Sequence, residues 1–161
     1  MKRTVQSDAK IRIGLIGAGV VGQGILQLLH DNAPSIERRL GARIEVRRVI
    51  ARDRDKPRSE LLTPALLSFD PNDVLDDPDV DVVVEVIGGV GIAKQVVEAA
   101  LAAGKPVVTC NKKLIAKHGP ALFRQARDGG VDLAFEGSVG GGIPILSALR
   151  SCLAGNRVQA V

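Results

Sequence analysis

The run GLIGAGVVGQGILQLL, Gly14 to Leu29, puts Gly17, Gly19 and Gly22 where an apolar strand must turn into a helix. Glycine inside such an element is disfavoured by about 1 kcal/mol against alanine, so this spacing requires a compensating role. IRIGLI (Ile11–Ile16) reads as a short strand, and VVGQGILQLLHD (Val20–Asp31) has apolar residues at helical spacing. A G-x-G-x-x-G run at such a junction has a mechanical reading. Gly17 permits the tight turn, Gly19 lets the backbone approach a pyrophosphate, and Gly22 lets the helix pack closely on the strand. Ala18, Val20 and Val21 share the loop, where the unpaired N–H groups of the helix start face a dinucleotide's phosphates.

The rest of the chain supplies the context this fingerprint needs. ARIEVRRVIA (Ala42–Ala51) alternates as a second strand. From Arg52 to Pro78 the sequence is polar and weakly patterned, which predicts a loop with one short helix near Pro64–Leu67. VDVVVEVIG (Val80–Gly88) reads as a buried strand, and GIAKQVVEAALAAG as a helix ended by Gly104 in a left-handed cap. KPVVTC (Lys105–Cys110) is the next strand, with Pro106 tolerable at its start. A helix over Lys113–Asp128 is expected to break near His118-Gly119-Pro120. VDLAFEGSV then reads as a strand, IPILSALRSCLAG as a helix with Pro144 in its first turn, and NRVQAV as the opening of another strand. Strands alternating with helices imply parallel βαβ units, hence an α/β fold with a doubly wound, mostly parallel sheet of the Rossmann type. The expected division is a flexible tail over 1–10, a nucleotide-binding domain over 11–155, and the start of a further domain over 156–161.

Composition narrows the partners. The chain has 161 residues, 45% of them hydrophobic, with three Phe and no Trp or Tyr, so an aliphatic single-domain core is expected. No apolar run reaches the roughly 18 residues of a membrane span, and MKRTVQSDAK lacks a signal peptide's apolar stretch. A cytoplasmic protein is the expectation. The net charge of +4 is crowded into Arg47, Arg48, Arg52, Arg54, Lys56 and Arg58. Glu45, Asp53, Asp55 and Glu60 interleave with these, and no aromatic residue stands among them to stack on a base, which argues against nucleic acid. Cys110 and Cys152 read as reduced thiols, and His30 and His118 lack partners at metal-ligand spacing.

The end of the second strand bears on the cofactor. An NAD site usually offers an acid there to the ribose 2′-hydroxyl, whereas VIARDRDK presents Arg52 first. A guanidinium suits a 2′-phosphate through paired charge-assisted bonds, which favours NADP, with Arg54 or Lys56 in support. Asp53 keeps NAD open as the alternative. At the carboxyl edge of a later strand, Asn111 and Lys112 occupy the place where ligands bind in open α/β sheets. There an ammonium can polarise a carbonyl or relay a proton, whereas a bystander lysine would sit badly against the helix dipole. EGSVGGGIP is open to two readings, a hinge or a set of main-chain carbonyls for a hard cation.

VVVEVIGG, KPVVTCNKKLIAKHG and FEGSVGGGIPILSALR follow the glycine fingerprint in this order. Over Ile11 to Val161 the chain resembles the N-terminal nucleotide-binding domain of homoserine dehydrogenase. Cys110 and Gly140 depart from that family's pattern, where alanine is commoner. The resemblance implies NAD(P)H-dependent reduction of aspartate 4-semialdehyde to homoserine, on the branch to threonine and methionine. It implies Gly88 and Lys112 as cofactor contacts, with Lys112 at the reaction centre. It also implies a structural sodium ion at Glu136, Val139, Gly141 and Ile143, held mostly through the main chain. A substrate-binding and dimerising domain is expected to follow near Asn156, so the 161 residues alone are expected to be inactive and the whole protein a homo-oligomer. The rivals are aspartate dehydrogenase and dihydrodipicolinate reductase, against which TCNK and GGIP argue. An aldehyde dehydrogenase acting through Cys110 lacks a visible base. A nucleotide-binding redox sensor without catalysis is the alternative from another class.

Overall fold

The computed structural model describes residues 9–152 and 155. Its framework is a six-stranded sheet whose neighbours all pair in parallel. In chain order the strands are β1 (Lys10–Ile16), β2 (Arg43–Ile50), β3 (Leu67–Ser68), β4 (Val82–Glu85), β5 (Val107–Thr109) and β6 (Leu133–Ala134). Between them run α1 (Val20–Leu40), α2 (Asn72–Leu75), α3 (Gly91–Ala102) and α4 (Lys112–Asp128). A 3-10 turn (Glu136–Ser138) and α5 (Ile145–Ser147) follow, and α5 runs into a π-helical turn over Ala148–Cys152. Strand order β3-β2-β1-β4-β5-β6 is that of a doubly wound nucleotide-binding fold.

Alternation along the strands divides the core. One face carries Ile16, Ile50, Val83, Val107 and Leu133 beneath α2, α3 and α4. Leu15 and Val49 point to the other face, where Leu26 of α1 and Leu62 cover them. That second layer thins out beyond β1, and Val108 in β5 is left 42% exposed.

Several elements differ from what the sequence predicts. α1 continues beyond Asp31 to Leu40, through Pro34, and ends at Gly41 with φ 72°. Pro34 is exposed, so the carbonyl it leaves without a helical donor faces water and the helix tolerates it. α4 is likewise continuous through Gly119 and Pro120, with a cap from Asn111 at its start.

Near Pro64–Leu67 there is only a turn, closed by Leu66 and Leu67 N–H groups on the Thr63 carbonyl. Beyond it the open edge of β2 draws the chain into β3, with Val49 and Ala51 N–H donating to the carbonyls of Leu66 and Ser68. The short helix lies further on, at Asn72–Leu75. β6 stops at Ala134 instead of running through Val139. Phe135 turns there onto Phe123, with ring centroids 4.8 Å apart, and its carbonyl takes the Ser138 N–H and hydroxyl. Pro144 precedes α5 instead of lying within it. The strand expected from NRVQAV and the side chain of Cys152 lie outside the described residues.

Candidate functional site

Because all strands run the same way, the loops after their carboxyl ends gather at one edge of the sheet. Strand order reverses between β1 and β4, and open α/β sheets bind ligands in the crevice at such a point.

The loop after β1 is shaped by its glycines. Gly17 has φ 126°, and a β-carbon there would stand 2.8 Å from the Val86 carbonyl oxygen. Handedness and space both exclude a side chain. Gly22 is in the first turn of α1, where a β-carbon would overlap the Gly17 carbonyl oxygen. Around Gly19 no atom lies within 4 Å of the place a β-carbon would take, so its surface is open to a ligand. Gly19 caps α1 without a side-chain bond, and the first turn holds no acid. The N–H groups that begin α1 therefore lack side-chain partners, and Val20 is 86% exposed beside them. Ala18 is buried, and its carbonyl accepts from Gln23 Nε2 at 3.2 Å.

Gln23 also ties this loop to the one after β2, since its Oε1 accepts from the Ser59 N–H at 2.7 Å. In that second loop Arg52 is exposed and makes no hydrogen bond or ion pair among the described residues. Asp53 accepts from the Asp55 N–H at 3.0 Å, which folds its carboxylate into a local turn. Arg54 lies over the Phe69 ring, 4.1 Å from its centroid. Arg58 braces the loop from within by donating to the main-chain carbonyls of Asp53, Arg54 and Lys56.

Across the crevice, Gly88 and Gly89 turn the loop after β4 with φ 70° and 74°. The loop after β5 delivers Asn111, buried, and Lys112, exposed, to the first turn of α4. Lys112 and Lys113 both stand at this positive helix end with no acid in the first turn, an arrangement that favours an anionic ligand. Burial, and after it the Glu85 carboxylate, push the Cys110 thiol above its ordinary range.

The segment after β6 carries Glu136, Val139, Gly141 and Ile143. The Glu136 carboxylate accepts from the Ser147 hydroxyl and from the N–H groups of Leu146 and Ser147 at 2.7–2.9 Å. These bonds, the hydroxyl first, hold its carboxyl below the ordinary value. Gly140 and Gly141, with φ 69° and 64°, bend the chain back. Among the described residues no three His, Cys, Asp or Glu side chains gather as a metal site.

Sequence reasoning passed over three side chains that organise this edge. Gln23 links the first two loops, and Glu85 with Thr109 links the next two. A lone acid inside VVVEV was the available signal for Glu85, since a buried strand has no reason to carry one.

The family model for "Homoserine dehydrogenase, NAD binding domain" matches residues 17–136. Homoserine dehydrogenase of Bacillus subtilis (strain 168) is 43% identical over 148 residues, 92% of this chain and 34% of that protein. Its counterpart in Pseudomonas aeruginosa is 45% identical over 150 residues, with the same shares covered. The crystal structure of a homoserine dehydrogenase from Thiobacillus denitrificans superposes with a TM-score of 0.86 at 47% identity, over 92% of this chain and 34% of that one. The chain thus spans about a third of the length of these relatives.

Proposed function

The chain belongs to the homoserine dehydrogenase NAD-binding domain family, and from that premise we propose that it is the NADP-preferring cofactor half of such an enzyme, interconverting L-homoserine and L-aspartate 4-semialdehyde in the cytoplasm. The observation that carries this reading is the bare, uncapped start of α1 at the switch point, on the same sheet edge as the loop that carries Lys112.

The residues present fit a dinucleotide. Gly19 leaves open space above the backbone, and the N–H groups around Val20 and Val21 offer donors to a pyrophosphate. Arg52, exposed and without a hydrogen-bond or ion-pair partner among the described residues, would take a 2′-phosphate. Bound NADPH supplies the hydride for the aldehyde carbon. Lys112 acts on the other atom of that carbonyl, stabilising charge on the oxygen or delivering a proton to it. Gly88 keeps the opposing loop free of side chain where the cofactor lies.

A sodium ion suits the last loop. Glu136, Val139, Gly141 and Ile143 offer only hard oxygen donors, mostly main-chain. The carbonyls of Glu136 and Ile143 already accept from Val139 and Ile145 N–H groups, and each retains a second lone pair.

The relatives are about three times as long, which leaves room for a domain that closes the substrate pocket and pairs the protomers. The 161 residues alone are expected to bind cofactor without oxidising homoserine, because a pocket with one wall neither orients substrate nor excludes water. The test is a fusion of this chain to the remaining two-thirds of the Pseudomonas relative. Homoserine-dependent NADPH formation is expected. A fusion that binds NADPH and leaves homoserine untouched would overturn the activity.

A further inference from the structure

Glu85 ends β4 with no exposed surface, and among the described residues no lysine or arginine pairs with it. The neighbouring Val82, Val83, Val84 and Val86 show that valine suits this strand, so the carboxyl group is not there for packing. Its oxygens are both used. Oε1 accepts from the Ile87 N–H at 2.8 Å, and Oε2 accepts from the Thr109 hydroxyl at 2.5 Å.

Thr109, 1% exposed on β5, extends the connection. Its Oγ1 accepts from the Asn111 N–H at 3.0 Å. Asn111 then reaches back to the loop after β4, Nδ2 donating to the Gly89 carbonyl at 2.7 Å, while its Oδ1 caps the Leu114 N–H at 3.1 Å. The bonds close a ring through both loops. Gly88 lies between two anchored residues, Ile87 and Gly89, and Lys112 lies between Asn111 and Leu114.

A buried network in which each member satisfies the next rigidifies what it joins. Here it joins the loops after β4 and β5, which stand side by side on one flank of the crevice, and it makes no bond to the glycine loop or to Arg52. We propose that Glu85 and Thr109 are positioning residues that set the separation of Gly88 and Lys112, and so order the site for the nicotinamide half of the cofactor while the adenosine half binds independently of them. This rests on the reading of the crevice as a dinucleotide site.

Calorimetry on the 161-residue chain, with NADPH and with 2′,5′-ADP as separate ligands, tests it. Thr109→Val keeps the shape and removes the hydroxyl, leaving the Glu85 carboxylate and the Asn111 N–H without their partner. NADPH is expected to bind about tenfold more weakly to this variant, the scale of one strong hydrogen bond removed. Affinity for 2′,5′-ADP is expected to stay within about twofold, and Thr109→Ser to restore NADPH binding, since it returns the hydroxyl. Glu85→Gln gives a second route if valine at 109 does not fold, because the two bonds go to different oxygens and the amide replaces one of them with an NH2 that only donates; the same selective loss is expected. Equal weakening of both ligands, or wild-type NADPH affinity in the folded variants, overturns the proposal. A wild-type chain that binds neither ligand instead refutes the dinucleotide site, and this proposal falls with it.

Discussion

Gly22 lies so close to Gly17 that a β-carbon on the one would overlap the carbonyl oxygen of the other. The first turn of α1 is thereby pressed against the end of β1, and the N–H groups that begin it have no side-chain partner. Gly19, between them, is in a different situation, with φ −80° and open space where a side chain would go.

Three alanine variants separate these roles. Gly22→Ala is expected to destabilise the fold by about 1–3 kcal/mol or more, the cost of overpacking a close contact. Gly19→Ala should leave the melting temperature unchanged, because alanine accepts that backbone, and should abolish NADPH binding by placing a methyl group where the proposed site would receive the pyrophosphate. Gly24→Ala, on the exposed side of α1 with no atom within 4 Å, should stabilise by up to about 1 kcal/mol. Thermal melts paired with calorimetry check all three. A melting point lowered as much by Gly19→Ala as by Gly22→Ala would refute the distinction.

Cofactor preference should follow Arg52. The isolated chain is expected to bind NADPH more tightly than NADH, and Arg52→Ala to reduce that gap by about ten- to a hundredfold, as for hydrogen bonds to a charged group. Arg54→Ala should matter less, since that guanidinium is engaged over Phe69. The preference should also shrink as salt rises. Equal affinities for the two nucleotides in the wild type would show that Asp53 or another group reads the ribose.

What was legible in the sequence was whatever local pattern controls. The strand-glycine-helix junction, the β-branched run before Gly88 and the left-handed Gly104 (φ 71°) are short-range signals, and each appears in the structure. Pro120 misled for the same reason, since a proline's cost depends on whether the orphaned carbonyl reaches water or a packed helix absorbs it, and α1 likewise runs on past Asp31 through Pro34. β3 and the early end of β6 were not legible because long-range partners decide them: the open edge of β2 in one case, Phe123 in the other. The site divides similarly. Backbone cradles announce themselves through glycines, whereas Gln23, Glu85 and Thr109 act through contacts with residues at least 24 positions away in the chain.

Cys110 should be a poor nucleophile. Burial and the Glu85 carboxylate raise its pKa, so at any pH near neutrality less thiolate is present than on an ordinary cysteine. Alkylation by iodoacetamide, followed peptide by peptide at pH 7 to 9, is expected to be slower at Cys110 than in the urea-unfolded chain. The rate should still be climbing at the upper pH, where an unperturbed thiol begins to level off. Rapid alkylation of the folded chain at pH 7 would contradict this and reopen thiol chemistry at the carboxyl edge of β5.

Lys112 stands at the first position of α4, exposed, at the helix end that repels cations. That unfavourable placement makes sense if negative charge arrives there during the reaction. In the fusion enzyme, Lys112→Ala is expected to lower kcat by about 10²–10⁴-fold, the usual range for one general acid or base. Cofactor affinity should change far less, because the proposed site assigns the pyrophosphate to the glycine loop after β1 and not to α4. A lysine that only decorates the helix would leave kcat within a few-fold and confine any loss to KM. Arginine at the same position keeps the charge and cannot readily release a proton. Recovery in Lys112→Arg would therefore identify charge stabilisation of the carbonyl oxygen. Failure of both variants, with NADPH binding intact, would identify proton transfer.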